Sequence, residues 1–375
     1  MNTATPEEGQ TAARTGLFED PFADWANDDI LFTRPARMAL GARRLPALRV
    51  LDWPELRALF ASYDTPANQN ARRDRRLALL AVGSAAAGLA AAAFAPLAPG
   101  PWLGAAAAVL TIGGAGLAAL HALDARPRAR WLGARYWTER ARALYFQTLI
   151  NNLGLAAAAI ENDTALGEWK AARAQALTAL PRFDDQAADV PRLAGVATEA
   201  EAWVVAEWAA PPAPPPASVS LELLFDILGR QRFDSQIAYA ERKLGDSVRT
   251  PRRRSQALKL GGTILPIIAV AAAAAGGMLL ALGRPPADLG VAVSLALAAS
   301  ACAGALALRL INDSLRVSED AGRYARYAAA VMRARARFEA GDVAEKVAAL
   351  REMEVIAYRD LREFVADHWR ARHLM

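Results

Sequence analysis

Three histidines and one cysteine are all that the chain offers of the residue types that most often carry metal or nucleophilic chemistry. His121, His368 and His373 are too few and too scattered for a metal site with ligand spacing. Cys302 sits in the middle of an apolar run, where a thiol is a small packing residue rather than a water-facing nucleophile. Paired carboxylates such as Asp28/Asp29 and Glu352/Glu354 have the spacing for acid–base work, but on charged helices such pairs read as solvated faces. No Walker-type phosphate loop, no GxGxxG after a strand and no GxSxG elbow occurs. The residues therefore predict no enzyme, no metal and no cofactor. Asn162-Asp163-Thr164 and Asn312-Asp313-Ser314 match glycosylation sequons, but both fall on the side predicted below to face the cytoplasm.

The elements that must position any function are four apolar stretches free of Asp, Glu, Lys and Arg, at about residues 77–98, 102–123, 260–282 and 289–308. Each is long enough as a helix to cross a hydrocarbon core of ~30 Å. A soluble helix of that length shows a polar face, and these show none. Arginines crowd one side of each pair: Arg72, Arg73, Arg75 and Arg76 before the first, Arg126, Arg128, Arg130 and Arg135 after the second. Arg249, Arg252, Arg253, Arg254 and Lys259 precede the third, and Arg309 and Arg316 follow the fourth, while the tight turns inside the hairpins carry only Arg284. That asymmetry is the positive-inside pattern, placing both termini in the cytoplasm of a multi-pass inner-membrane protein. The same arginines explain the net charge of +5 without nucleic acid and suit an anionic inner leaflet. The polar first ten residues lack an apolar core, which predicts no cleavable signal peptide.

The fold class predicted is all-α: two transmembrane hairpins, four spans, with long helices extending into a cytoplasmic helical bundle. Residues 1–45 read as a flexible arm, within which Leu17–Trp25 mixes acids and aromatics as a docking peptide or an arm packed on the bundle. Residues 46–159 form a first unit, opened by a helix with Asp52 as cap and Pro54 in its first turn. Residues 160–217 form a helical segment broken at Pro181 and Pro191, ending in a linker from Pro211 to Pro216. Residues 218–375 repeat the layout: an approach from Leu221 to Asp246, a basic cluster, a hairpin, and a charged helix from Ile311 to about Phe338. A last helix after Gly341 carries the stripe Val343, Val347, Leu350, Met353, Ala357, Leu361 and Phe364.

With no ionisable group in the spans beyond His121 near one end, coupled transport is disfavoured. What the spans offer is small and weakly polar surface. Ser84/Gly88 and Ser300/Gly304 stand four apart, and Gly114 adds a smooth position, so helix packing or homo-oligomerisation is expected. Were the helices to line a pore, Ser84, Thr111, Thr263, Ser294 and Ser300 would supply its only polar relief.

The helix after the first hairpin holds Trp131, Glu139, Arg142 and Tyr145-Phe146, with Arg135–Glu139 and Glu139–Arg142 at pairing distance on one face. A two-span hairpin with a short outer turn and this trailing helix resembles the SLATT families, the SMODS- and SLOG-associating two-transmembrane effector domains of bacteria. In the second unit Glu319 and Arg323 stand at a related place, and Glu352, Glu354 and His368-Trp369 resemble the family's last helix. The resemblance implies a pore-forming or membrane-perturbing effector of a conflict system, triggered by a nucleotide signal through a partner. The chain departs from that pattern in carrying two hairpins and no nucleotide-sensing domain, which calls for a separate sensing or signalling protein. The alternative reading is a non-enzymatic membrane scaffold whose cytoplasmic helices recruit partner proteins.

Overall fold

The computed structural model describes residues 27–31, 45–98, 100–123, 126–180, 190–245 and 250–370. The Leu17–Trp25 motif, His373 and the breaker Pro181 lie outside them. The described residues hold helices joined by turns and irregular stretches, with no strand among them. Helix α1 (Leu45–Leu51) is followed by α2 (Pro54–Phe94), a single helix of 41 residues that tolerates Pro66 in its interior. At 1.5 Å per residue α2 is about 60 Å long. Its polar first half packs in the helical body and its apolar second half is the first span. After a short turn, α3 (Trp102–Leu123) returns as the second span, and α4 (Arg126–Asn151) re-enters the body. The chain then turns by 78° at Asn152 into α5 (Leu153–Glu161), followed by α6 (Asp163–Leu177).

The cap expected at Asp52 is not made. The Asp52 carboxylate pairs with Arg57, and the N-cap is Trp53, which uses no side-chain hydrogen bond and is buried in the core. A short helix α7 (Val190–Leu193) begins next to Pro191, and the 211–217 segment runs without helix. Its entry is tacked down: Arg351 donates to the carbonyls of Trp208 and Ala209 at 3.0 and 2.8 Å and stacks over Trp203 at 4.0 Å.

The second approach is not one regular helix. α8 (Val219–Leu228) passes through a π-helical stretch, Gly229–Asp234, into α9 (Ser235–Leu244). α10 (Pro251–Ala281) and α11 (Leu289–Leu315) are the third and fourth spans. The charged helix predicted to begin at Ile311 is interrupted: Arg316 is left-handed (φ 52°), so α11 ends there and α12 (Val317–Ala340) starts afresh. Ser318 stabilises the corner, donating to Asn312 Oδ1 at 2.9 Å and meeting Ser255 of α10 at 2.9 Å. α13 (Val343–Arg370) opens with a reciprocal box, Asp342 and Glu345 each accepting the other's backbone N–H at 2.9 Å.

One hydrophobic core joins both halves of the sequence. Phe60, Tyr63, Tyr145, Phe146 and Trp169 share it with Phe225, Phe233, Phe338, Leu350 and Met353. Because the segments before and after each hairpin end in this core, both hairpins stand on the same body. The architecture is thus all-α, four long apolar helices able to span a membrane above a helical bundle.

Candidate functional site

Within the apolar half, α2 packs on α3, α10 packs on α11, and among the described residues the hairpins join through α2 and the turn at its end (Ala95–Leu97) against α11. The outer helices α3 and α10 share no packed interface, so the order is an open chain, α3–α2–α11–α10. Burial follows that order. In the most apolar stretch of each helix, 22% and 28% of residues are buried for inner α2 and α11, against 17% and 11% for outer α3 and α10. Large side chains face outward all round; Val109, Ile112 and Val270 keep 72, 72 and 70% of their surface exposed. An apolar surface so extensive is a lipid-facing one. The protein is a multi-pass membrane protein by this measure.

Glycine sets the closeness of the hairpins. A Cβ on Gly88 would fall 2.6 Å from the amide of Thr111, and one on Gly114 would fall 2.8 Å from the carbonyl oxygen of Ala81. Across the second hairpin Gly276 faces Ser294 and Leu295, and Gly304 faces Leu265 at 3.1 Å. Ser84, Thr111, Ser294 and Ser300 are half-buried, and the buried Ser300 hydroxyl has no hydrogen-bond partner among the described residues. Thr263 faces outward and donates to its own helix, Lys259 O, at 3.0 Å. These hydroxyls are therefore spread over two hairpin interfaces and the outer surface. Cys302 is exposed on α11.

Beneath the layer lies a largely buried ionic frame that takes in Glu139 and Arg142. Arg142 reaches Glu139 at 2.9 Å, Asn27 Oδ1 at 2.6 Å and the carboxylate of Asp29, whose side chain is fully enclosed. Arg135 pairs with Glu139 at 2.7 Å and lies 3.7 Å from Asp64. Gln236 of α9 donates to Asp29 at 3.1 Å and accepts from the Tyr327 hydroxyl of α12 at 2.9 Å. Burial works against the Arg142 charge, and Asp29 and Glu139 outweigh it, holding the guanidinium pKa above its ordinary value. Burial likewise disfavours the Glu139 carboxylate, but Arg135 and Arg142 bring its pKa below the usual range.

A second buried pair, Arg232 of the π-helical stretch with Glu354 of α13, is 2.7 Å apart, and Gln147 of α4 bridges Glu354 and the carbonyl of Ala202. In the second half Arg323 holds Asp360 at 2.5 Å and Asp320 at 3.3 Å, while Glu319 pairs separately with Arg316 at 3.1 Å. Trp131 meets His368 edge-on at 5.3 Å and Phe364 at 5.9 Å. Glu139 with Arg142 and Glu319 with Arg323 are thus not brought into one cluster. Among the described residues no group of His, Cys, Asp and Glu is arranged to hold a metal.

No protein-family model, curated protein or solved structure matches this chain.

Asp29 and Glu354, expected on solvated faces, are buried with 0% side-chain exposure, each paired with an arginine rather than with the neighbouring acid. Asn27, Gln147, Arg232 and Gln236 were not signalled by any motif, since their partners lie 55 to 207 positions away. His368 gives a pH test. Burial lowers its pKa below 6.5, with Asp320, 3.7 Å away, opposing. The unfolded chain therefore takes up the proton first, and stability must fall as pH drops through about 6.5. Urea unfolding at pH 7.5 and 5.5 should show this loss in the wild type and a smaller loss in His368→Phe.

Proposed function

We propose that the protein is a non-enzymatic membrane effector of a bacterial conflict system, built to perturb the inner membrane under the control of a partner. The single observation that carries the reading is the open order of the four spans. One chain offers an apolar layer whose two outer helices are each packed on one side only, with no Asp, Glu, Lys or Arg in the four apolar runs. Such a layer encloses nothing alone, and enclosing a path requires further copies, so the active form is a homo-oligomer. In this reading the helical body and both termini face the cytoplasm against an anionic leaflet, an orientation that the arginine clusters beside the spans support. A separate nucleotide-sensing or signalling protein supplies the trigger, as the SLATT resemblance implies, and nucleic acid is not a partner.

The test is dye release from vesicles containing anionic phospholipid, with purified protein at rising protein-to-lipid ratio. Release that climbs more steeply than protein concentration is expected, since assembly precedes it. The scaffold alternative draws on the largely buried ionic frame, which suits a rigid recruiting platform. Absence of leakage and conductance at every ratio would favour that scaffold.

A further inference from the structure

We propose that residues 27–31 are a removable latch, a short segment whose insertion ties together the helices that lead into or out of three spans and whose withdrawal lets the hairpins move apart. The inference rests on the effector reading for its purpose but not for its structure.

The segment is a single turn, Asp28–Ile30, bounded by left-handed residues Asn27 (φ 50°) and Leu31 (φ 55°). Asparagine adopts left-handed backbone readily, but for a leucine it is strained and persists only where surroundings impose it. Here they do: Ile30 and Leu31 are 2% and 1% exposed within the shared core. The Asp29 carboxylate is fully enclosed between Arg142 and Gln236, and Gln236 passes the contact to Tyr327.

What matters is where those partners lead. Arg142 is on α4, which follows span α3. Gln236 is on α9, which precedes span α10, and Tyr327 is on α12, which follows span α11. The fourth span, α2, enters the same frame through Asp64 and Arg135. A five-residue segment therefore sits where the supports of all four spans converge.

The element it presses on has an alternative conformation within reach, ordinary α-helical bonding. The latch packs against the π-helical stretch Gly229–Asp234. A π turn carries one more residue than an α turn, is rare, and concentrates at functional sites. Relaxing it to α-helical bonding turns the following helix by about 100° relative to what precedes it. Such a turn would carry Gln236 off Asp29. Latch and π stretch thus stabilise one another, and a partner that withdraws the latch shifts both.

The test uses the full chain in lipid nanodiscs with spin labels on Arg130→Cys and Arg252→Cys in a Cys302→Ser background. Both labelled positions are exposed, at the feet of the first and second hairpins. Asp29→Asn keeps the shape and removes the charge. It should accelerate hydrogen exchange of residues 27–31 about tenfold or more, the size expected for losing a buried charge-assisted bond. It should also add a longer-distance population between the labels. Gln236→Leu, which leaves Arg142 paired, should move both readouts the same way by less and covers the case that Asp29→Asn does not fold. Faster exchange with an unchanged distance distribution would reduce the segment to a filler of the core and overturn the latch, as would unchanged exchange. Dye release is read separately: a longer-distance population without leakage keeps the latch and rejects the effector reading.

Discussion

Glu354→Ala is expected to destabilise the helical body by about 3–5 kcal/mol, the cost of stranding one member of a buried ion pair. Arg232 would then keep its charge with 2% side-chain exposure, stacked over Phe146 at 4.5 Å and without its carboxylate. Gln147 would lose one of the groups it bridges. Removing both charges is a different experiment. Arg232→Met with Glu354→Leu fills the site with apolar volume, and the double variant should return to within about 1 kcal/mol of wild type or exceed it. Burial raises the Glu354 pKa despite Arg232, which says the same thing in protons. Between its ordinary value and its raised one, the folded chain holds a proton that the unfolded chain has released, so stability declines as pH rises through that window. The expected role of the pair is to fix register between the π stretch and α13, rather than to add stability. Urea unfolding followed by tryptophan fluorescence separates the outcomes. A double variant as unstable as Glu354→Ala would assign the loss to packing and remove the electrostatic account.

The spans and the local ion pairs were legible in the sequence because both are short-range patterns. Four uncharged runs of helical length need no partner to be recognised, and Arg135, Glu139 and Arg142 announce themselves at spacings of four and three. What was hidden is long-range or rare. Nothing near Asp29 marks it as the counter-charge of Arg142, 113 positions away, so it read as half of a solvated acidic pair. Arg316 is an unusual residue for a left-handed corner, and its helix continues the charged pattern on either side, so the break there has no local signature. The π stretch hides for a related reason: one extra residue in an amphipathic run barely disturbs its periodicity. Asp52 has the right type for a cap, but Arg57 claims its carboxylate. In the spans the obstacle is degeneracy, since alanine and glycine occur on every face and composition cannot say which of them touch.

That degeneracy yields the sharpest test, because two adjacent glycines must behave in opposite ways. At Gly114 a new Cβ would lie 2.8 Å from Ala81 O, 2.9 Å from Ala85 Cα and nearer still to the Ala85 amide nitrogen. All three are backbone atoms of α2, so no rotamer can yield and the helices must separate. At Gly113 nothing lies within 4 Å. Both substitutions change the same helix at neighbouring positions, so the intrinsic gain of alanine over glycine, roughly 0.5–1 kcal/mol, is common to both. Gly113→Ala should therefore be neutral or slightly stabilising, while Gly114→Ala should lose about 1–3 kcal/mol to overpacking. Gly88→Ala should follow Gly114, since its Cβ would fall 2.6 Å from Thr111 N and 2.9 Å from Ala107 O. Unfolding in bicelles reads the difference directly. The same variants bear on the open order of the spans. If hairpins separate as rigid pairs along α2 and α11, prising α3 from α2 should disturb the fold without reproducing the longer-distance population of the unlatched chain. If Gly114→Ala instead gives that population with the latch still protected from exchange, the moving boundary lies inside the first hairpin, and the rigid unit is the single helix.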